Sequence, residues 1–164
     1  MPSILFVCTA NQFRSPLAAA CFLKVIEEER AADAGAWRVE SAGTWTEDGL
    51  PAAEIALQVA RHLRLYGLSG HRTRQISQAL LDPYDLIVVM EKGHKEALST
   101  EFPSTRGRLY LLSEIVDEAV YDIPDPGHYG AQAFDVGRDL YSLITRGKEN
   151  ILQLAISLSR LTPP

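Results

Sequence analysis

Residues 3–16 read SILFVCTANQFRSP and carry the clearest local signals of the chain. Residues 4–7 form an apolar run with the length and β-branching of a buried strand. Pro16 suits the first turn of a helix, where no backbone N–H is needed, and the helix-forming run LAAACFLKVIEEER follows it. Because proline disfavours helical backbone in the preceding residue, Ser15 is predicted to cap that helix. The stretch therefore predicts a strand, a short loop and a helix N-terminus.

The loop, residues 8–14, is predicted to bind an anion through its own amides and the dipole of the following helix. Cys8 opens the loop, and a cysteine beside a helix N-terminus and an arginine reacts as the thiolate. Arg14 closes it with a planar fork that can grip two phosphate oxygens. For each residue alone, a buried structural Cys8 and a solvated Arg14 are the alternatives. Together, a thiolate, an amide cradle and a guanidinium favour covalent phosphoryl transfer.

Composition limits the possible partners of the chain. Its 164 residues suit a single domain, residues 1–164, and its net charge of −5 offers no general attraction to nucleic acid or to an anionic membrane. We expect no signal peptide, because no basic stretch precedes the first strand. The two cysteines, Cys8 and Cys21, make no disulfide framework, which favours a reducing, cytoplasmic location. No metal-ligand spacing links them to the four histidines, so no cofactor is expected.

Strands and helices are predicted to alternate along the rest of the chain. Further strands are expected within residues 37–44, 84–90 and 108–112, and helices over residues 51–67, 91–102 and 131–161, the last broken or kinked at Gly147. This order indicates an α/β fold with a parallel sheet and right-handed crossovers. Active sites of such sheets lie at the carboxyl ends of the strands, where the loop after Cys8 is expected.

Four motifs together resemble the low-molecular-weight protein tyrosine phosphatases over nearly the whole chain. They are VCTANQFRSP at residues 7–16, SAGT at 41–44, GHRTRQ at 70–75 and Asp125-Pro126. The resemblance implies a three-layer sandwich with a central four-stranded parallel sheet of order 2-1-3-4. It also implies a phosphatase with a phosphocysteine intermediate, acting as a monomer on a phosphorylated protein and holding phosphate or a similar oxyanion in its site.

The resemblance assigns roles to individual residues. Cys8 is the nucleophile, Arg14 binds the phosphoryl group and Asp125 is the general acid and base, with Asp122 as a rival acid in the loop of residues 117–130. The phosphate-binding loop comprises Thr9, Ala10, Asn11, Gln12, Phe13 and Ser15. Ser41 and His71 hold Asn11. Trp45 forms one wall of the substrate cleft, and His128 or Tyr129 supplies the other.

The chain departs from the family pattern at three positions. Ala10 replaces a common glycine, Gln12 and Phe13 stand where an apolar residue or threonine and a second cysteine are usual, and Gly127 replaces an aromatic after Asp125-Pro126. Because aromatic walls select phosphotyrosine, the substrate is less determined than the reaction. Phosphoarginine is the close alternative, with Gln12 at the deciding position. Arsenate reduction would need a relay of further cysteines, for which Cys21 is poorly placed, and a non-enzymatic phosphate-binding module is a further alternative.

Overall fold

The computed structural model describes residues 1–29, 34–127 and 130–161. Its strands are β1 (Ser3–Cys8), β2 (Arg38–Gly43), β3 (Leu86–Val89) and β4 (Leu109–Leu111). Its α-helices are α1 (Arg14–Glu29), α2 (Glu54–His62), α3 (Gln78–Leu81), α4 (Lys92–Glu101), α5 (Leu112–Asp117) and α6 (Gly130–Ser159). The four strands pair in parallel in the order β2-β1-β3-β4. The predicted fold class and strand order are confirmed.

The central strands are buried on both faces, as their continuous apolar sequences predict. Every residue of β1 and β3 is buried. Ile4 and Phe6 pack in one hydrophobic cluster with residues of α1 and α6, whereas Leu5 and Val7 pack in a second cluster with residues of α3 and α4. The sheet is therefore the middle of three layers, and Cys8 ends its central strand β1.

Helix α2 is shorter than predicted at both ends. It begins at Glu54 because the N–H of Ala53 donates to the carbonyl oxygen of Gln12 at 3.0 Å, which ties residue 53 to the loop after β1. It ends at His62 because Arg64 takes a left-handed conformation with φ of 55° and the Leu65 N–H bonds to the Ala60 carbonyl. This reversal buries Leu65.

The predicted break at Gly147 is wrong, because α6 runs without interruption from Gly130 to Ser159. A Cβ atom on Gly147 would lie 2.3 Å from a γ-carbon of Val116. The glycine therefore permits close approach of α6 to α5 instead of ending the helix. In the described part of the chain, no helix is both long enough and apolar enough to span a membrane.

Candidate active site

Cys8 lies at the carboxyl end of β1 and reaches a cavity of about 240 Å³. Its side chain is buried, and its Sγ atom lies 3.0 Å from Ser15 Oγ. The described residues that line the cavity come from the loop, from the start of α2 and from the segment before α6: Cys8, Ala10, Gln12, Phe13, Arg14, Ala53, Ile55, Asp125 and Gly127. The cavity thus brings Cys8 and Arg14 together with Asp125, which lies 111 residues after Arg14 in the chain.

Ser15 does not cap α1 as predicted, because the helix already begins at Arg14. The Ser15 hydroxyl instead turns into the loop, where it donates to the Ala42 carbonyl oxygen at 3.2 Å and accepts from Asn11 Nδ2 at 2.9 Å. A hydroxyl has a single proton to donate. By rotating that proton from the Ala42 oxygen to Sγ, Ser15 can stabilise a Cys8 thiolate.

Asn11 fixes the shape of the loop. It is fully buried and adopts a left-handed backbone with φ of 54°, which asparagine tolerates better than most residues. Its Nδ2 group also donates to Ser41 Oγ at 2.9 Å, and its Oδ1 atom accepts from the Arg74 N–H at 3.0 Å. The Asn11 carbonyl accepts from His71 Nε2 at 2.7 Å. Ser41 and His71 are therefore both in contact with Asn11.

The loop carries backbone donors that have no partner in the described part of the protein. In the residues that the structure describes, the N–H groups of residues 10–13 donate to no protein acceptor. The carbonyls of Cys8 and Thr9 are already paired, since they accept from the N–H groups of Thr44 and Trp45. Ala10 is outside the left-handed region, so its Cβ causes no backbone strain there. Free amides at the N-terminus of a helix are the donors that an anion site requires.

Arg14 is buried and is held from two sides. Its Nη1 group donates to the Ile123 carbonyl at 2.9 Å and is paired with Glu91, while Nη2 lies 3.2 Å from Asp125 Oδ2. The sequence analysis missed Glu91. The available signal was its position, because Glu91 directly follows Met90 at the carboxyl end of β3, the sheet edge where the site lies.

The two acidic candidates of the loop before α6 have different partners. Asp125 lines the cavity, its side chain is more than half exposed, and its Oδ1 atom accepts from the Gly127 N–H at 2.9 Å. Asp122 Oδ1 accepts from the Lys92 N–H at 2.8 Å, at the start of α4. Asp122 is absent from the cavity lining within the described residues. The geometry therefore favours Asp125 as the group that meets a leaving group.

His94 is a second residue that the sequence analysis missed. It is buried on α4, and its Nε2 atom lies 2.9 Å from Thr9 Oγ1, directly beside the nucleophile. Burial lowers the pKa of His94, and the nearby Arg14 lowers it further, against the opposing effect of Glu91. This direction favours the neutral form of the imidazole beside Thr9 at neutral pH.

Of the three expected cleft-wall residues, only Trp45 lies within the described residues. Trp45 follows β2 and is 84% exposed, and it does not line the cavity itself. Phe13, Ala53 and Ile55 form the apolar lining. His128 and Tyr129 lie outside the described residues. Within the described ranges, no three His, Cys, Asp or Glu side chains are grouped as a metal site requires.

The pKa of His71 is lowered by burial and by the charges of Arg74 and Arg72, although its bond to the Asn11 carbonyl acts the other way. Below a pH of about 6.5, the unfolded chain therefore binds a proton that the folded chain resists. We predict that the urea midpoint falls as the pH drops from about 6.5 through the folded-state pKa of His71. His71→Gln should reduce this pH dependence, and the same change at the exposed His62 is the matched control. An unchanged slope in His71→Gln would contradict the assignment.

The chain is similar to known proteins in sequence and in structure. Residues 3–159 match the sequence model of the family described as low molecular weight phosphotyrosine protein phosphatase. The tyrosine phosphatase Wzb of Escherichia coli K12 is 36% identical over 144 residues, which cover 88% of either chain.

Two solved structures are also similar. Vibrio vulnificus Wzb in complex with benzylphosphonate has a TM-score of 0.72 and 33% identity, covering 94% of this chain and 97% of that chain. A mutant of the YwlE arginine phosphatase with a phosphorylated active site serine has a TM-score of 0.80 and 27% identity, covering 96% and 95%. The similarity thus extends to phosphatases named for two different phosphoryl linkages.

Proposed function

Because the chain belongs to the low molecular weight phosphotyrosine protein phosphatase family, we propose that it hydrolyses phosphotyrosine in proteins through a phosphocysteine intermediate. One observation carries the proposal. Cys8, Arg14 and Asp125 line one cavity, and the loop beside it carries the free amides of residues 10–13. These are a nucleophile, an oxyanion cradle and an acid on one site.

In the first step, the Cys8 thiolate attacks the phosphorus atom. The sulfur–phosphorus bond forms as the bond between phosphorus and the phenolic oxygen breaks, and Asp125 gives that oxygen its proton. The loop amides and Arg14 hold the three equatorial oxygens, on which the transition-state charge is spread. A phosphoryl group competes with Asp125 for Nη2 of Arg14, which releases the carboxyl group for this proton transfer. Glu91 keeps the guanidinium in place meanwhile.

In the second step, Asp125 as carboxylate takes a proton from water. The water oxygen attacks phosphorus, the sulfur–phosphorus bond breaks, and Cys8 leaves as the thiolate. The Ser15 hydroxyl, 3.0 Å from Sγ, donates to the departing sulfur. Inorganic phosphate is the product.

Phosphoarginine is the second candidate substrate, and Gln12 is the observation that favours it. The Gln12 side chain lines the cavity, with Nε2 bonded to the Pro51 carbonyl at 3.1 Å. Its Oε1 atom remains an acceptor for a guanidinium N–H, which a tyrosine ring does not offer.

We predict a higher kcat/KM for a phosphotyrosine peptide than for a phosphoarginine peptide of the same sequence. Gln12→Leu should widen this ratio, because it removes an acceptor that only the guanidinium uses. Phosphate release from both peptides by wild type, with Cys8→Ser as the blank, measures it. A wild-type preference for phosphoarginine would make that linkage the substrate.

The remaining parts of the proposal concern the surroundings of the enzyme. We place it in the cytoplasm as a monomer, with phosphorylated protein as its partner and without nucleic acid or membrane. The net charge of −5 and two unpaired, buried cysteines support this placement. Arsenate reduction is disfavoured because burial raises the pKa of Cys21 to about 12, which leaves a poor relay thiol.

A further inference from the structure

The side chain of Gln75 links the two neighbours of Trp45. Its Nε2 group donates to the Thr44 carbonyl at 2.9 Å, and its Oε1 atom accepts from the Thr46 N–H at 2.8 Å. The Gln75 backbone N–H donates to Asp48 Oδ1 at 2.6 Å in the same loop. The Gln75 side chain therefore hydrogen-bonds to the backbone on both sides of Trp45, as the backbone of a neighbouring strand would.

Thr73 holds the far end of the same loop. Its hydroxyl donates to the Glu47 carbonyl at 2.5 Å and accepts from the Leu50 N–H at 2.9 Å. Residues 73–75 thus support the loop of residues 44–50 through hydrogen bonds. They are joined to the sheet by the parallel bridge between Gly43 and Gln75.

The indole of Trp45 cannot be held by its own packing, because it is 84% exposed. Its backbone N–H donates to the Thr9 carbonyl at 3.0 Å, so the residue stands beside the nucleophile loop. An aromatic face fixed there meets whatever part of a substrate extends beyond the phosphoryl group. A rigid backbone reduces the entropy lost when the substrate stacks on it.

We propose that Gln75 is a positioning residue, which fixes Trp45 beside the nucleophile loop and so sets the affinity for the aromatic part of the substrate without affecting phosphate binding. This inference rests on the proposed function. It assigns Gln75 a role in specificity that is separate from the role of its neighbours His71 and Arg74, which contact Asn11.

Fluorescence anisotropy tests whether Gln75 restricts the motion of Trp45, and it requires no enzymatic turnover. The chain has two tryptophans, and Trp37→Phe leaves Trp45 as the only tryptophan, which can be excited selectively over tyrosine. In that background, Gln75→Leu should lower the steady-state anisotropy of Trp45. Gln78→Leu is the matched control, because Gln78 bonds to Asp82 and Ser104 on an exposed part of α3. Equal anisotropy in the two variants would overturn the proposal.

Steady-state kinetics tests whether Gln75 affects the affinity for the substrate. Gln75→Leu should raise KM for a phosphotyrosine peptide about two- to tenfold, as expected for loss of an aromatic contact, and leave the inhibition constant of inorganic phosphate unchanged. In a Trp45→Ala background it should add nothing, because coupled residues are not additive. A parallel rise in the phosphate constant, or an additive effect on Trp45→Ala, would overturn the proposal.

A conservative variant covers a failure of Gln75→Leu to fold. Gln75→Glu keeps the acceptor for the Thr46 N–H and loses the donor to the Thr44 carbonyl, so its anisotropy should lie between those of wild type and a fully released loop. Wild-type anisotropy and KM in Gln75→Glu would overturn the role of the Thr44 contact. If the wild-type protein hydrolysed no phosphate ester, the proposed function would fail. The anisotropy measurement would still decide whether Gln75 fixes Trp45.

Discussion

Cys8→Ser is expected to lower turnover of para-nitrophenyl phosphate by more than about 10³-fold, because catalysis requires a nucleophile that is already ionised. A serine hydroxyl at the same place keeps its proton at neutral pH. The amides of residues 10–13 and Arg14 are untouched, so the variant should still bind inorganic phosphate. Steady-state rates test the loss of turnover, and calorimetry on the same preparation tests whether phosphate binding is retained.

Selective alkylation gives an independent test of the same residue. Iodoacetate should modify Cys8 and abolish activity, and inorganic phosphate should protect it. Cys21 should stay unmodified, because it is fully buried and its pKa is raised to about 12 by burial. Cys21→Ala, which should retain turnover, is the control. Labelling of both cysteines at equal rates with activity retained would refute Cys8 as the nucleophile.

The parts of the site that are local in sequence were predictable. Cys8, Asn11 and Arg14 lie in one loop, so their spacing alone predicts an anion cradle between a strand and a helix. The fold was predictable for a related reason. Continuous apolar strands that alternate with helices have few solutions other than a parallel sheet with both faces covered.

Contacts between distant segments were not predictable. Glu91 contacts Arg14, which lies 77 residues earlier in the chain. From the sequence alone, a charged residue at the start of a helix is expected to be exposed to solvent. The same holds for His94, whose partner Thr9 lies 85 residues away. These contacts depend on how far β3 and α4 extend at the sheet edge. The role of Gly147 was predicted wrongly because the sequence does not distinguish a glycine that lets a neighbouring helix pack closely from a glycine that ends its own helix.

Asp125→Asn is expected to lower kcat for phenyl phosphate by about 10²–10⁴-fold, the usual worth of general acid catalysis. Asparagine keeps the size of the side chain and its contact with the Gly127 N–H, but it has no proton to give to the leaving oxygen. The loss should shrink for aryl phosphates whose phenols are more acidic, because such groups leave without protonation. A series of substituted phenyl phosphates measures this dependence.

Asp122→Asn is the matched control for this prediction, since it makes the same chemical change three residues earlier in the chain. The amide oxygen of the substituted side chain could still accept from the Lys92 N–H, so turnover should stay close to that of wild type. A larger loss in Asp122→Asn than in Asp125→Asn would transfer the acid role to Asp122. It would also require the segment to move, because Asp125, not Asp122, lies 3.2 Å from the Arg14 guanidinium, which we propose binds the phosphoryl group.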